Sequence, residues 1–393
     1  MAMTKEKESN PGLTRGVISP SGGQAGAATP WARIACWFIM SRLLIWGAAG
    51  LSTLVLAPGK YFTPTVRPMS LLTHWDAAWY LDVINNGYHF DPGQMSNVNF
   101  LPLYPLLVRV LNLAVPNVEI AAYIMSNAAA FGAAVLIWHL TYGLNLRVAA
   151  ADGAVLFFLF GPVSFFFATI YSESTFLFFV VSALIAARKR LWLLAGVCGA
   201  FASSARSIGI LLVIPIAVEF LQNQRFRDVG RSGKFWVGLL GCALPAVGLL
   251  LYMGYLGWRF DEPRAYFISQ HYGGHGYSYI WDTFVSRHFN GLTPFYKWWF
   301  GGAVLAGVSL LLTGVLLRLP YSLTAFALAC CLLYFSIKTL ECMPRFLSVV
   351  APFYCTLGEI KARSPALGEG LLAISAALLA FSVALFANGY WFT

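Results

Sequence analysis

From residue 31 onward, apolar stretches of about 17 to 25 residues recur with short polar breaks between them. A soluble core cannot hide so many uninterrupted stretches, so the pattern predicts an all-α polytopic membrane protein. The predicted membrane segments are 31–56, 119–143, 149–168, 173–187, 191–205, 207–222, 235–256, 297–317, 320–338, 345–360 and 369–389. They make about 9–11 crossings, since 345–360 is weak and 191–205 and 207–222 are the least secure as separate passages. Several are short, which predicts tilted, broken or re-entrant helices. Residues 1–30 are rich in Gly, Ser, Pro and charge and read as a disordered cytoplasmic tail, too long and polar for a cleaved signal peptide. Residues 31–393 read as one transmembrane catalytic domain, with external loops at 57–118 and 257–296.

Composition strengthens the membrane reading: 59% of residues are hydrophobic and 11% charged, against roughly one quarter charged in soluble domains. The 26 Lys and Arg outnumber 16 Asp and Glu, but they lie in separate loops rather than on one face. They are expected to be topology signals and anionic-lipid contacts, with no nucleic-acid partner. Arg147, Arg188 to Arg190, Arg225, Arg227, Arg231, Lys234, Arg318, Lys361 and Arg363 all fall on the side of the tail, which makes that side cytoplasmic. Any chemistry is then expected on the opposite, extracytoplasmic face. The seven cysteines contain no CxxC pair, and no GxGxxG, Walker-type or HExxH motif occurs. No cofactor or metal is expected.

The candidate chemistry centres on THWDAAWYLDVINNGY, residues 73–88. Its spacing predicts a short amphipathic helix at the external interface, broken by Gly87, with Asp76, Tyr80 and Val83 on one face. Trp75, Trp79, Asp82 and Asn86 lie around the other side. Asp76 and Asp82 are too far apart in sequence for the carboxylate pair of glycoside hydrolysis. Transfer from a sugar phosphate needs a single base, because the phosphate leaves unassisted, and Asp76 suits that role. The alternative is an interfacial anchor of Trp75, Trp79 and Tyr80 with Asp76 as a helix cap. A second amphipathic segment, 97–116, follows, and its Arg109 is expected to reach lipid headgroups.

Charges at membrane depth mark further candidates: Arg42, Glu173 and Arg206. Arg206 either pairs with Glu173 or binds a phosphate. Arg345 either supplies a second, forked phosphate contact or pairs with Glu341 four positions earlier. In loop 257–296, His271 is a candidate substrate contact, with a plain external loop as the alternative. Gly273 and Gly274 undermine a metal pair of His271 with His275.

HWDAAWYLDVINNGY, NFLPLYPLLVRV, the SN pair at 126–127, GPVSFFFATIYSES at 161–174 and SSARSIG at 203–209 together resemble the PIG-V family, the GPI mannosyltransferase 2-like proteins, over roughly residues 33 to 360. The resemblance implies a GT-C-type glycosyltransferase that takes mannose from a polyprenyl-phosphate-linked donor, usually with inversion. It maps the family's essential WD dipeptide onto Trp75 and Asp76, its YSE segment onto Tyr171, Ser172 and Glu173, and a motif arginine onto Arg206. Compact external loops and Ala-, Gly- and Leu-rich spans suggest a bacterial branch in the cytoplasmic membrane, with a glycolipid, lipoglycan or protein acceptor rather than a GPI precursor. The rival reading is a polyprenyl-phosphate or glycolipid transporter without covalent chemistry.

Overall fold

The computed structural model describes residues 28–59, 68–145, 147–223, 232–274, 276, 278–279, 281–282, 292–338 and 340–392. The expected tail up to residue 27, the basic residues Arg225, Arg227 and Arg231, and His275 lie outside the described residues. Among the described residues the secondary structure is helical, with no β-strand.

The helices run in chain order as α1 (Trp31–Ser52), α2 (Asp76–Asn86), α3 (Leu103–Asn112), α4 (Val118–Asn145), α5 (Val148–Phe160), α6 (Glu173–Arg188), α7 (Trp192–Ala205) and α8 (Val213–Gln222). After these come α9 (Gly233–Ala243), α10 (Pro245–Phe260), α11 (Ala265–Tyr272), α12 (Pro294–Leu316), α13 (Tyr321–Phe335), α14 (Met343–Ser348), α15 (Ala351–Arg363) and α16 (Pro365–Ala387). Short 3-10 turns cover Asn97–Asn99, Ser164–Phe167 and Ser207–Leu212.

Four of these, α1, α4, α12 and α16, are long and apolar enough to cross a bilayer. A fifth crossing forms if α9 and α10 count as one span, bent by 50° where Pro245 denies the backbone a donor. The other predicted segments are present as shorter helices, and local sequence explains where they stop. Segment 149–168 ends at Phe160 because Gly161, preceding Pro162, is held extended (ψ 155°). Segment 207–222 starts as a 3-10 turn, and 345–360 is divided into α14 and α15. The long apolar helices make this an integral membrane protein.

Close helix approach depends on small residues. A Cβ on Gly358 of α15 would stand 2.2 Å from Ala150 O of α5, and one on Gly248 of α10 would stand 2.1 Å from Ala200 O of α7. The second contact fixes the end of α7, from which Arg206 emerges. Three apolar clusters result: one through α4 to α8 and α12 to α15, one around α2, α3 and α16, and one joining Val98 and Leu101 to α10 and α11. Residues from all three line a single cavity.

Candidate active site

The cavity encloses about 1100 Å³. Trp75, Asp76, Trp79 and Tyr80 border it from α2, and Arg206, His271 and Arg345 border it from three other segments. These seven residues, drawn from four stretches of sequence, line one space.

Local geometry explains how Asp76 gets there. Trp75 has φ 56° and ψ −117°, a region that non-glycine residues seldom occupy, and this turn starts α2 directly at Asp76. The Trp75 indole packs edge-on against Trp391, 4.6 Å between centroids. Two hydrogen bonds then fasten α2 to the segment before α6: the Tyr171 hydroxyl donates to His74 O at 3.0 Å, and the Tyr80 hydroxyl donates to Ser172 Oγ at 2.6 Å. At the far end of α2, Arg109 donates to Ile84 O at 2.7 Å and Val83 O at 2.8 Å. Arg109 therefore adds donors to carbonyls of the last turn of α2, while the residue as a whole stays exposed.

Four charges form the floor. Arg345 donates through Nη1 to Asp76 Oδ2 at 2.6 Å and through Nε to Glu173 Oε1, while Arg206 Nη1 donates to the same Glu173 oxygen at 2.6 Å. Two arginines thus share Glu173, and one of them continues to Asp76. The expected Glu341–Arg345 pair gives way to these partners, because Arg345 is buried at 4% exposure beneath the cavity floor. Its guanidinium lies 4.6 Å above the Tyr171 ring and 5.1 Å from Phe166, a bed of favourable cation–π contacts. The expected Arg206–Glu173 bridge is present, and Arg206 is still 15% exposed, so its remaining donors can face the cavity.

Exposure separates contact from support. The Asp76 side chain is 27% exposed and reaches the cavity. Glu173 and Tyr171 are fully buried and do not line it. In this structure they hold Arg206, Arg345 and the His74 backbone from behind the cavity wall. His74 also turns away, its ring edge-on to Phe386 at 5.6 Å. Burial pushes its pKa below the ordinary histidine value. Arg42 is remote from the cavity. It donates to Asn127 Oδ1 at 2.7 Å and lies over Phe38, joining α1 to α4.

The walls suit a sugar. Trp79 and Phe100 are near parallel at 6.0 Å, and Trp391 and Phe346 add flat apolar surface. His271 sits in the last turn of α11, which is clipped down by Tyr266 donating to Ser207 Oγ at 2.8 Å and Ser96 N–H donating to Ser269 Oγ at 2.7 Å. Lys338 is exposed at the same cavity.

Among the lining residues that sequence reasoning missed are Asn99, Tyr334 and Trp391. Asn99 is buried, yet neither its amide nitrogen nor its oxygen has a hydrogen-bond partner, and Met95 and Gly273 close over it. Its neighbour Asn97, in contrast, bonds Asp82, Gly87 O and the His89 N–H. The repeated NVN pattern carries no signal for which asparagine is saturated. Tyr334, with an unpartnered hydroxyl, and Trp391 come from apolar or terminal stretches where aromatics are common.

Comparison with known proteins places the chain among relatives. Residues 60–230 match the family Mannosyltransferase (PIG-V). GPI mannosyltransferase 2 of Drosophila melanogaster is 30% identical over 128 residues, which is 30% of this chain and 27% of that protein. Among solved structures, ArnT from Cupriavidus metallidurans bound to undecaprenyl phosphate superimposes with a TM-score of 0.54 at 14% identity, over 90% of this chain and 64% of that one. The apo oligosaccharyltransferase of Archaeoglobus fulgidus gives a TM-score of 0.48 at 16% identity, over 91% and 56%. The chain thus spans less than two thirds of each of these proteins. It shares its fold with ArnT over 90% of its length.

Proposed function

We propose that this chain, a PIG-V-family protein over residues 60–230, is a mannosyltransferase that moves mannose from a polyprenyl-phosphate donor to an acceptor hydroxyl at the extracytoplasmic membrane face. The observation that carries the reading is the Arg345 bridge: one guanidinium joins buried Glu173 to a partly exposed Asp76 at the floor of an aromatic-walled cavity.

In this reading the acceptor hydroxyl gives its proton to the Asp76 carboxylate as its oxygen attacks the anomeric carbon. The bond from that carbon to the phosphate oxygen breaks on the opposite side, with inversion, and polyprenyl phosphate leaves. The ion cluster supplies electrostatic compensation. Asp76 and Glu173 balance Arg206 and Arg345 before reaction. When Asp76 takes up a proton, Arg345 loses one counter-charge at the moment the leaving phosphate gains negative charge. Arg206 and Arg345 then stabilise that phosphate more strongly in the transition state than in the ground state, which is the condition for accelerating the step. Trp75, Trp79 and Tyr80 shape the sugar pocket, and His271 bounds it from α11. A membrane glycolipid, lipoglycan or protein would present the acceptor hydroxyl.

The test is transfer of labelled mannose from polyprenyl-phosphate-mannose by purified protein, with membrane extract as acceptor. Asp76→Asn keeps an oxygen for Arg345 to donate to but removes the base, and transfer should drop at least about a hundredfold. Retained transfer in both Asp76→Asn and Asp76→Ala, in folded protein, rejects Asp76 as the base. Movement of intact donor across vesicles without a covalent product would instead favour a transporter.

A further inference from the structure

A second hollow, of about 540 Å³, lies between the α4–α5 turn, the α12–α13 turn and the end of α15. It is at the other end of the bundle from the ion cluster. Pro320, just before α13, lines the hollow, whereas Tyr334, near the end of the same helix, lines the cavity. At 1.5 Å per residue that helix separates them by roughly 20 Å.

Three arginines line it, Arg147, Arg318 and Arg363, together with one carboxylate, Glu359. Glu359 is nearly buried and pairs through Oε2 with Arg147 at 3.6 Å and Arg363 at 3.3 Å. Three positive charges against one negative leave an excess of two. Arg318 is exposed and has no ion pair among the described residues.

The backbone at Arg318 is unusual. It has φ 59°, and the turn around it closes with Leu317 N–H donating to Thr313 O at 2.8 Å and Leu319 N–H to Gly314 O at 3.0 Å. This is the left-handed helix-end position that glycine fills most easily. An arginine there strains the chain and places a guanidinium at the rim of the hollow.

Exposed apolar surface adjoins it. Val315, Leu316 and Tyr321 flank the turn and are 55%, 79% and 72% exposed, on helices whose outer faces are apolar. A dissolved ion has no use for such surface. A lipid does, because its chains can lie along these residues while its headgroup enters the hollow.

We propose that this hollow binds the headgroup phosphate of an anionic phospholipid, held by Arg318 and Arg363, with the acyl chains along the exposed ends of α12 and α13. The excess charge selects against a zwitterionic headgroup, whose ammonium would meet the same arginines. The site is separate from the sugar-transfer cavity and does not rest on the proposed reaction.

The experiment is native mass spectrometry of the full chain released from detergent, counting bound lipid after titration with phosphatidylglycerol or phosphatidylcholine. Arg318→Gly is the informative variant, because it removes the guanidinium and relaxes the backbone together. It should lower phosphatidylglycerol binding about fivefold while leaving the melting temperature in lipid-free detergent unchanged or raised. Adding Arg363→Gln should lower binding further. Arg190→Gln, a basic residue with φ 60° that does not line the hollow, should bind like wild type.

Wild-type binding of phosphatidylglycerol by Arg318→Gly overturns the proposal, as does an equal loss in Arg190→Gln, which would mean diffuse surface attraction. Equal binding of phosphatidylcholine by the unaltered protein also overturns it. Displacement of the lipid by millimolar inorganic phosphate would reassign the hollow to a free ion. A lowered melting temperature for Arg318→Gly in lipid-free detergent would make Arg318 a structural residue instead.

Discussion

The Tyr80 hydroxyl donates to Ser172 Oγ at 2.6 Å, across 92 positions of sequence. That bond ties the helix beginning at Asp76 to the residue immediately before Glu173. Both groups are buried, so removing one leaves the other without a partner. Tyr80→Phe should destabilise the protein by about 1–3 kcal/mol and lower the turnover number more than it raises KM, since the loosened part is the setting of Asp76. Thermal unfolding in detergent alongside steady-state transfer kinetics checks both effects; a change confined to KM would assign Tyr80 to substrate binding alone.

Glu173 is the shared counter-ion of Arg206 and Arg345 and is fully buried. Glu173→Ala should cost roughly 3–5 kcal/mol, because two desolvated guanidinium groups lose their common partner. Glu173→Gln keeps the shape and should retain more stability while still losing most activity. If Glu173→Ala melts like wild type, the cluster is not the anchor described above.

Arg345→Lys preserves charge but cannot donate from two fixed directions to Glu173 and Asp76 at once. Transfer should fall about tenfold or more, with expression and melting less affected than in Arg345→Met. Activity of the lysine variant equal to wild type would show that position of charge suffices without the guanidinium fork.

Asn99 predicts opposite signs for stability and activity. Each unpartnered buried amide atom carries a desolvation penalty of about 1–3 kcal/mol, so Asn99→Leu should melt at the same or a higher temperature. Transfer should decline nonetheless if the amide meets a sugar hydroxyl once Met95 and Gly273 move aside. A variant that is both more stable and fully active would remove Asn99 from the site.

His74 sets a pH response. Burial lowers its pKa in the fold, so below the unfolded value of about 6.5 the unfolded chain binds more protons than the folded one. Stability should therefore fall as pH drops beneath that value and be insensitive to His74 above it. His74→Gln should flatten this part of the profile in unfolding scans from pH 5 to 8. An unchanged slope would assign the response to another group.

The membrane class, the helical segments and the 73–88 helix were legible because burial in lipid writes long apolar runs and interfacial periodicity into the chain. Asp76, Arg206 and Glu173 stood out because charge in such surroundings needs a reason. Partnership was less legible. Arg345 and Glu341 have ideal helical spacing, yet Arg345 bonds residues 269 and 172 positions away. No local pattern encodes a side chain of α14 reaching the first residues of α2 and α6. The same limit hid the support role of Tyr171, the capping by Arg109 and the unsatisfied amide of Asn99.

The ion cluster draws on residues 76, 173, 206 and 345, so Arg345 is the last of the four to be synthesised. Until then Glu173 can pair with Arg206 alone, and the Asp76 carboxylate lacks its ion-pair partner. A chain that stops before Arg345 holds the other three charges without the guanidinium that joins Asp76 to Glu173, so the cluster can close only late in synthesis.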